Sequence, residues 1–183
     1  MSVPYEGALP GDLTPGPGIL PLTPAKEGRL RLRLIAEART WIKTPYRQLG
    51  DTKGVAVDCS MLLVRCVVDC GIVAPFDPRP YPPTWFLHQS DERYIDWFAA
   101  VGVEVETPQP GDFITIKVGR AFAHSGIVSD SGHLIHAFAD EGQVRESSLS
   151  HPRLAAMGQG SRQVRPRRFF DLFARLRQNA ERG

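Results

Sequence analysis

VDCSMLLVRCVVDCG, residues 57–71, is the stretch on which the reading of the fold turns. From Met61 to Val68 it is apolar except for Arg65, and it is far too short to span a bilayer. Asp58, just before it, has the short oxygen-bearing side chain that caps helix starts, and Gly71, just after it, suits a helix end. The pattern predicts a buried helix that opens on a cysteine. At Cys59 a loop becomes a helix, so unpaired backbone N–H groups and the macrodipole favour negative charge. A thiol there is expected to have a lowered pKa and a larger thiolate fraction. Cys66 and Cys70 follow on the same stripe and read as small core hydrophobes. Cys66 stands roughly 10 Å along the helix from Cys59, too far for a disulfide.

Working outward, residues 25–43 carry Leu30, Leu34, Ala38 and Trp41 at helical spacing. Pro45 ends that helix, because the residue before a proline avoids the helical region. Residues 46–57 read as a loop. Residues 1–24 are crowded with Pro and Gly and read as an arm or linker outside the core, either a floppy tail or an arm docked on the domain or on a neighbouring subunit. Residues 25–183 read as one domain. Downstream, PFDPRPYPP (75–83) must be a stiff, irregular loop, and 84–100 return to helical spacing. After Pro110-Gly111-Asp112 the pattern switches to short strands at 113–118, 125–129, 133–138 and 143–147, with a tight-turn signal at Ser131-Gly132. The last segment, from Arg167, reads as a basic amphipathic helix with Phe169, Phe170, Phe173 and Leu176 on one side. Helices first and strands second is an α+β order.

Composition narrows the function. The chain has 183 residues, 22 basic and 20 acidic side chains and a formal charge of +2. That balance gives no electrostatic case for nucleic acid binding, and no run is long enough for a membrane span. Three cysteines are too few for a disulfide scaffold. The N-terminus has neither the basic start nor the apolar stretch of a secretory signal. Synthesis in a reducing cytoplasm is therefore expected.

A thiolate nucleophile needs a base that can also protonate the leaving group, and histidine suits this near neutral pH. The candidates are His88, His124, His133, His136 and His151. His124 stands where the SGIV run begins, so its ring can face a cleft. His136 lies in the next strand, across a short turn, and strands joined this way pair antiparallel. His136 is then placed to accept the Nδ1 proton of His124 and fix its tautomer. Cys59, His124 and His136 thus form the candidate constellation of nucleophile, base and orienting group. A zinc site on the same three residues is a weaker reading, because no close pair such as Cys-x-x-Cys anchors it. No metal or other cofactor is expected.

ARTWIKTPYRQLG…VDCSMLL, then PGDFITIKVGRAFAHSGIV, then HLIHAF, resemble the NlpC/P60 family of cell-wall cysteine peptidases. The shared pattern is a Pro-Tyr pair, Asp-Cys-Ser before an apolar helix, Pro-Gly-Asp, a His-x-Gly-Ile strand, and a polar residue on the next strand. It covers about residues 30–140. EARTWIKTPYR, the YPPTWFLH block and the late VRES…RPRRFF segment further resemble the branch found in phage tails and gene-transfer agents. The resemblance implies a papain-like α+β core, with the cysteine helix packed on an antiparallel sheet that carries both histidines. It assigns Cys59 as nucleophile, His124 as general base and His136 as the orienting third residue. It also places the Tyr46 hydroxyl at the site, helping the Cys59 N–H hold an oxyanion. Asp58 and Ser60 flank the nucleophile, and Asp58 reads as a cap and loop anchor. The implied substrates are peptidoglycan stem peptides, commonly cut at the γ-D-glutamyl link to the diamino acid. Other phage tail proteins are the implied partners, with assembly into a particle and action in the periplasm. Met61 stands where the family usually has Gly, which keeps a second class open: an inactive or murein-binding tail component.

Overall fold

Thr23 and Pro24 start the first helix, α1 (Pro24–Thr40): the Thr23 hydroxyl accepts from the Lys26 N–H, and proline is pre-set for the first turn. The computed structural model describes residues 13–79, 81, 93–118, 121–156 and 167–182. Helix α1 buries Leu30, Leu34, Ile35 and Ala38 along one stripe, and Trp41 is buried at its C-cap. Residues 13–22 are not a floppy tail but are docked on the domain and contribute to its core. Leu13 and Ile19 are buried in the main core, and Leu22 packs against it. The Gly16 N–H donates to the Ile72 carbonyl, and the Ala74 N–H to that of Thr14. The sequence signal was there: apolar side chains between the prolines give the segment a side to bury. Residues 1–12 lie outside the described residues.

The loop before the cysteine contains a two-stranded hairpin, β1 (Asp51–Thr52) and β2 (Ala56–Val57). Helix α2 (Cys59–Asp69) follows, capped as expected by Asp58, whose carboxylate accepts from the Met61 N–H at 2.8 Å. It ends with the Gly71 N–H bonded to the Val68 carbonyl and the Ile72 N–H to that of Val67. That double closure needs a left-handed residue, and Gly71 supplies it at φ 63°. Cys66 and Cys70 are buried free thiols, as read from the sequence. Helix α3 (Arg93–Val101) is the described part of the helix expected over 84–100. Trp85, Leu87 and His88 lie outside the described residues.

The remaining strands are β3 (Val103–Val105), β4 (Phe113–Val118), β5 (Ala121–Val128), β6 (His133–Phe138), β7 (Gln143–Ser148) and β8 (Arg167–Asp171). They form one antiparallel sheet in the order β3-β8-β4-β5-β6-β7. Short α4 (Pro152–Ala156) lies between β7 and β8, and α5 (Leu172–Arg182) follows β8. The four expected strands are all present, and β5 begins earlier than expected, at Ala121. The helix expected from Arg167 is corrected: its first residues are a strand inserted between β3 and β4. Phe169 pairs with Ile114 and Phe170 with Phe113, so the two rings point to opposite faces and a helical stripe is impossible. Asp171 then caps α5 by accepting from the Phe173 and Ala174 N–H groups.

The sheet is covered on both faces. Phe113, Ile127, Ile135, Ala137, Val144 and Phe170 pack with the helices in the main core. Ile114, Ile116 and Leu134 form a smaller cluster on the other face with Leu154, Leu149 and Phe169. One buried cation ties the ends together. Arg31 donates to Asp112 and to Asp171, each at 2.7 Å, and to Glu27 at 2.9 Å, and Arg177 pairs with the same Glu27. Breaking such a buried pair costs about 3–5 kcal/mol, because the remaining charges stay buried without compensation. Among the described residues no helix is long and apolar enough to cross a membrane.

Candidate active site

Helix α2 packs its start against β5. Cys59 is partly buried there among hydroxyls. Its Sγ lies 3.8 Å from the Tyr94 hydroxyl, which is 3.2 Å from Ser60 Oγ and donates to Ser125 Oγ at 2.7 Å. The Ser125 hydroxyl in turn donates to the Cys59 carbonyl at 3.2 Å. The thiol pKa is raised, which corrects the expectation of a lowered one. Burial is the main cause and the nearby Asp58 carboxylate the second, while bonds from Tyr94 and Ser125 pull the other way. Burial outweighs the helix start, and the cap adds to it: Asp58 occupies the Met61 N–H and brings a negative charge there.

Asp58 is the anchor expected of it. Besides Met61 it accepts from the Leu49 N–H at 2.7 Å and from the Tyr81 hydroxyl at 2.9 and 2.7 Å. Burial raises its own pKa, and these bonds oppose the rise. Tyr46 is close enough to Cys59 and Asp58 for their charges to add to burial in raising its pKa. Its hydroxyl, however, bonds to Gln48 Oε1 at 3.3 Å. Its N–H donates to the Gly142 carbonyl. The Met61 side chain is only 2% exposed and belongs to the main core, not to the site.

The two imidazoles meet as the antiparallel pairing predicts: His124 Nε2 lies 2.8 Å from His136 Nδ1. His136 Nε2 reaches Ser147 Oγ at 3.2 Å, and both rings pack on Phe138. The nitrogen His124 uses is Nε2 instead of the expected Nδ1, which leaves Nδ1 to face another partner. His124 is buried inside β5 instead of standing at its start. Burial pushes its pKa well below the usual imidazole value, helped by His136. Burial, then His151, lowers that of His136 to about 4.

The register separates sulfur from rings. Ser125 pairs with Thr115 and His124 with Ile116, so the two neighbours point to opposite faces. His136 shares its face with Leu134, whereas Ile135 and Ala137 face the helices. Cys59 and the imidazole pair therefore flank β5 from opposite sides, and no hydrogen bond joins Sγ to His124 among the described residues. The register shift between Ile116 and Lys117 comes only beyond His124, so this alternation is that of the regular ladder. Pairing of β5 with β6 is confined to Ile127–Ile135 and Val128–Leu134, so the ladder ends where the imidazoles bond. Of the expected residues, the structure brings together Cys59, Asp58 and Ser60 in one group and His124 with His136 in another. Sequence reasoning missed Tyr94, Tyr81 and Ser125. A tyrosine within the apolar stripe of a helix was the signal for Tyr94, because a buried phenol seeks a partner.

Among curated protein sequences none matches the chain. Among solved structures it is similar to NlpC2 from Trichomonas vaginalis, with TM-score 0.52 and 21% identity over 67% of this chain and 44% of that one. It is similar to the P60 domain of antigen MAP1204 from M. avium subspecies paratuberculosis, with TM-score 0.51 and 17% identity over 79% and 96%. An N-acetylmuramoyl-L-alanine amidase from Bacteroides uniformis is similar at TM-score 0.50 and 13% identity over 79% and 99%. At these identities the likeness shows the fold. The matches span only 40% and 44% of NlpC1 and NlpC2 from T. vaginalis. The NlpC/P60 sequence pattern itself matches residues 43–161, well over half of the 183, and its span includes Tyr46, Asp58, Cys59, Ser60, His124 and His136. The chain belongs to the NlpC/P60 family.

Proposed function

We propose that this chain is a cysteine peptidase that hydrolyses peptidoglycan stem peptides, with the γ-D-glutamyl link to the diamino acid as the bond cut. The observation that carries the reading is a cysteine at a capped helix start, tied through its carbonyl to Ser125, the neighbour of a hydrogen-bonded histidine pair. Cys59 gives its proton to His124 Nδ1, and the thiolate adds to the amide carbon. His124 returns that proton to the leaving amine, and a thioester remains. Water then loses a proton to His124 and attacks the thioester, releasing a carboxylate and the thiol. His136 holds the His124 ring through Nε2. For this chemistry Nδ1 must come to Sγ from the far side of β5.

The test is mass spectrometry of murein digested with the wild type and with Cys59→Ala. New peptide ends that depend on Cys59 support the reading and identify the bond; their absence removes it. A second reading is favoured by a specific observation: the thiol is pushed towards its protonated form, and the rings lie on the other face. In that reading the chain is a murein-binding or structural tail component, which sediments with murein but releases nothing. With either reading we propose synthesis in the cytoplasm, assembly with other phage tail proteins and contact with murein in the periplasm.

A further inference from the structure

We propose that the Tyr94 hydroxyl, on the first turn of α3, sets the balance between thiol and thiolate at Cys59 as a member of a closed ring of hydrogen bonds. The proposal rests on the reading above only in taking Cys59 as the nucleophile.

Proton counting fixes the ring. Ser125 has one hydroxyl proton and gives it to the Cys59 carbonyl. Ser125 Oγ must then accept from Tyr94, at 2.7 Å, the shortest contact in the cluster. The single phenol proton is thereby committed, so towards Sγ the Tyr94 oxygen accepts and the thiol donates. The circuit runs from the S–H to Tyr94, from Tyr94 to Ser125, and from Ser125 back to the carbonyl of the same cysteine. Once the sulfur loses its proton it becomes an acceptor. The Tyr94 O–H can then turn from Ser125 to the sulfur with no movement of heavy atoms. A bond to an ionised partner is about twice as strong as a neutral one, so the same hydroxyl favours the thiolate.

The groups that face the sulfur come from several elements. Asp58 and Tyr46 lie before α2, Tyr81 is on the proline-rich loop, Tyr94 on α3 and Ser125 on β5. Asp58 opposes ionisation, and the three phenols, raised by burial, are neutral near pH 7. Tyr94 and Ser125 are the groups that favour it. The Tyr94 ring stands edge-on to Phe98 at 5.0 Å, which places the hydroxyl in advance. Tyr46 cannot do the same in this arrangement, because its hydroxyl is bonded to Gln48.

The experiment is iodoacetamide alkylation of the full chain across a pH series, with the Cys59 peptide followed by mass spectrometry. Tyr94→Phe keeps the ring on Phe98 and should move the alkylation midpoint up by about one pH unit, a roughly tenfold loss of thiolate below the midpoint. On ionisation the Ser125 hydroxyl can also turn from the Cys59 carbonyl to the sulfur, so Ser125→Ala should move the midpoint the same way, and it carries the test alone if Tyr94→Phe does not fold. Tyr46→Phe should leave it in place. Unmoved midpoints in Tyr94→Phe and Ser125→Ala overturn the proposal, as does an equal shift in Tyr46→Phe. Failure of the peptidase reading looks different: the wild type would release no murein peptides, whatever the midpoints do.

Discussion

On one side of β5 the sulfur of Cys59 sits among hydroxyls, from Tyr94, Ser60 and Ser125, beside the Asp58 carboxylate. On the other side His124 and His136 sit among rings and a single serine hydroxyl. The first side can change its hydrogen-bond direction by turning O–H bonds. The second is an edge-on pair held neutral by burial. The difference teaches that a strand only one residue thick can separate a nucleophile from its base, because neighbouring side chains leave it in opposite directions.

The largest effect expected is on hydrolysis. Cys59→Ala and His124→Ala should each lower release of murein peptides by about a thousandfold or more, while Cys66→Ala stays within about twofold. A normal rate in His124→Ala, measured by chromatography of the digest, would show that the two sides never meet. His136→Ala should cost about a hundredfold and His136→Asn about tenfold, since Asn can still accept a bond from the neighbouring ring.

Stability sharpens the comparison at the imidazole side. Both rings have lowered pKa values in the folded chain, His136 at about 4. Below about pH 6.5 the unfolded chain takes up protons that the folded chain refuses, so stability falls as pH drops from there towards 4. The His136 ring alone should account for about 2 kcal/mol of that loss by pH 5 in urea titrations, and a variant carrying His124→Asn and His136→Asn should lose less. At the sulfur side Asp58→Asn should cost about 1 kcal/mol at neutral pH, through weakened bonds to Met61, Leu49 and Tyr81, with Asp58→Ala costing more. Differential scanning calorimetry checks both.

The helix of the cysteine was legible because local signals agree on it: Asp58 before it, an apolar run, and Gly71 after it. Strands β4 and β6 were legible from their turns and β-rich runs. The contact between His124 and His136 was legible too, because antiparallel pairing follows from a short connection. Which face the rings take was not. That depends on the register of β5 on β4, Ser125 with Thr115 and His124 with Ile116, and no residue type marks it. Strand β8 was hidden because RRFF runs straight into a true amphipathic helix, so one period was read through both. Tyr94 falls within the helical spacing of 84–100, and only its neighbours in space reveal the hydroxyl's task. The burial of Leu13 and Ile19 was masked by the prolines around them.

Strand β8 also has a consequence for synthesis. Residues 167–171 fill the slot between β3 and β4, in the interior of the sheet and not at its edge. A ribosome delivers β4 to β7 first, leaving one flank of β4 with unpaired N–H and C=O groups until those five residues emerge. A nascent chain paused short of Arg167 would offer that open flank to any passing strand, and Arg31 would still lack the Asp171 carboxylate. The order of translation thus makes an interior strand, one in from the sheet's edge, its final seam.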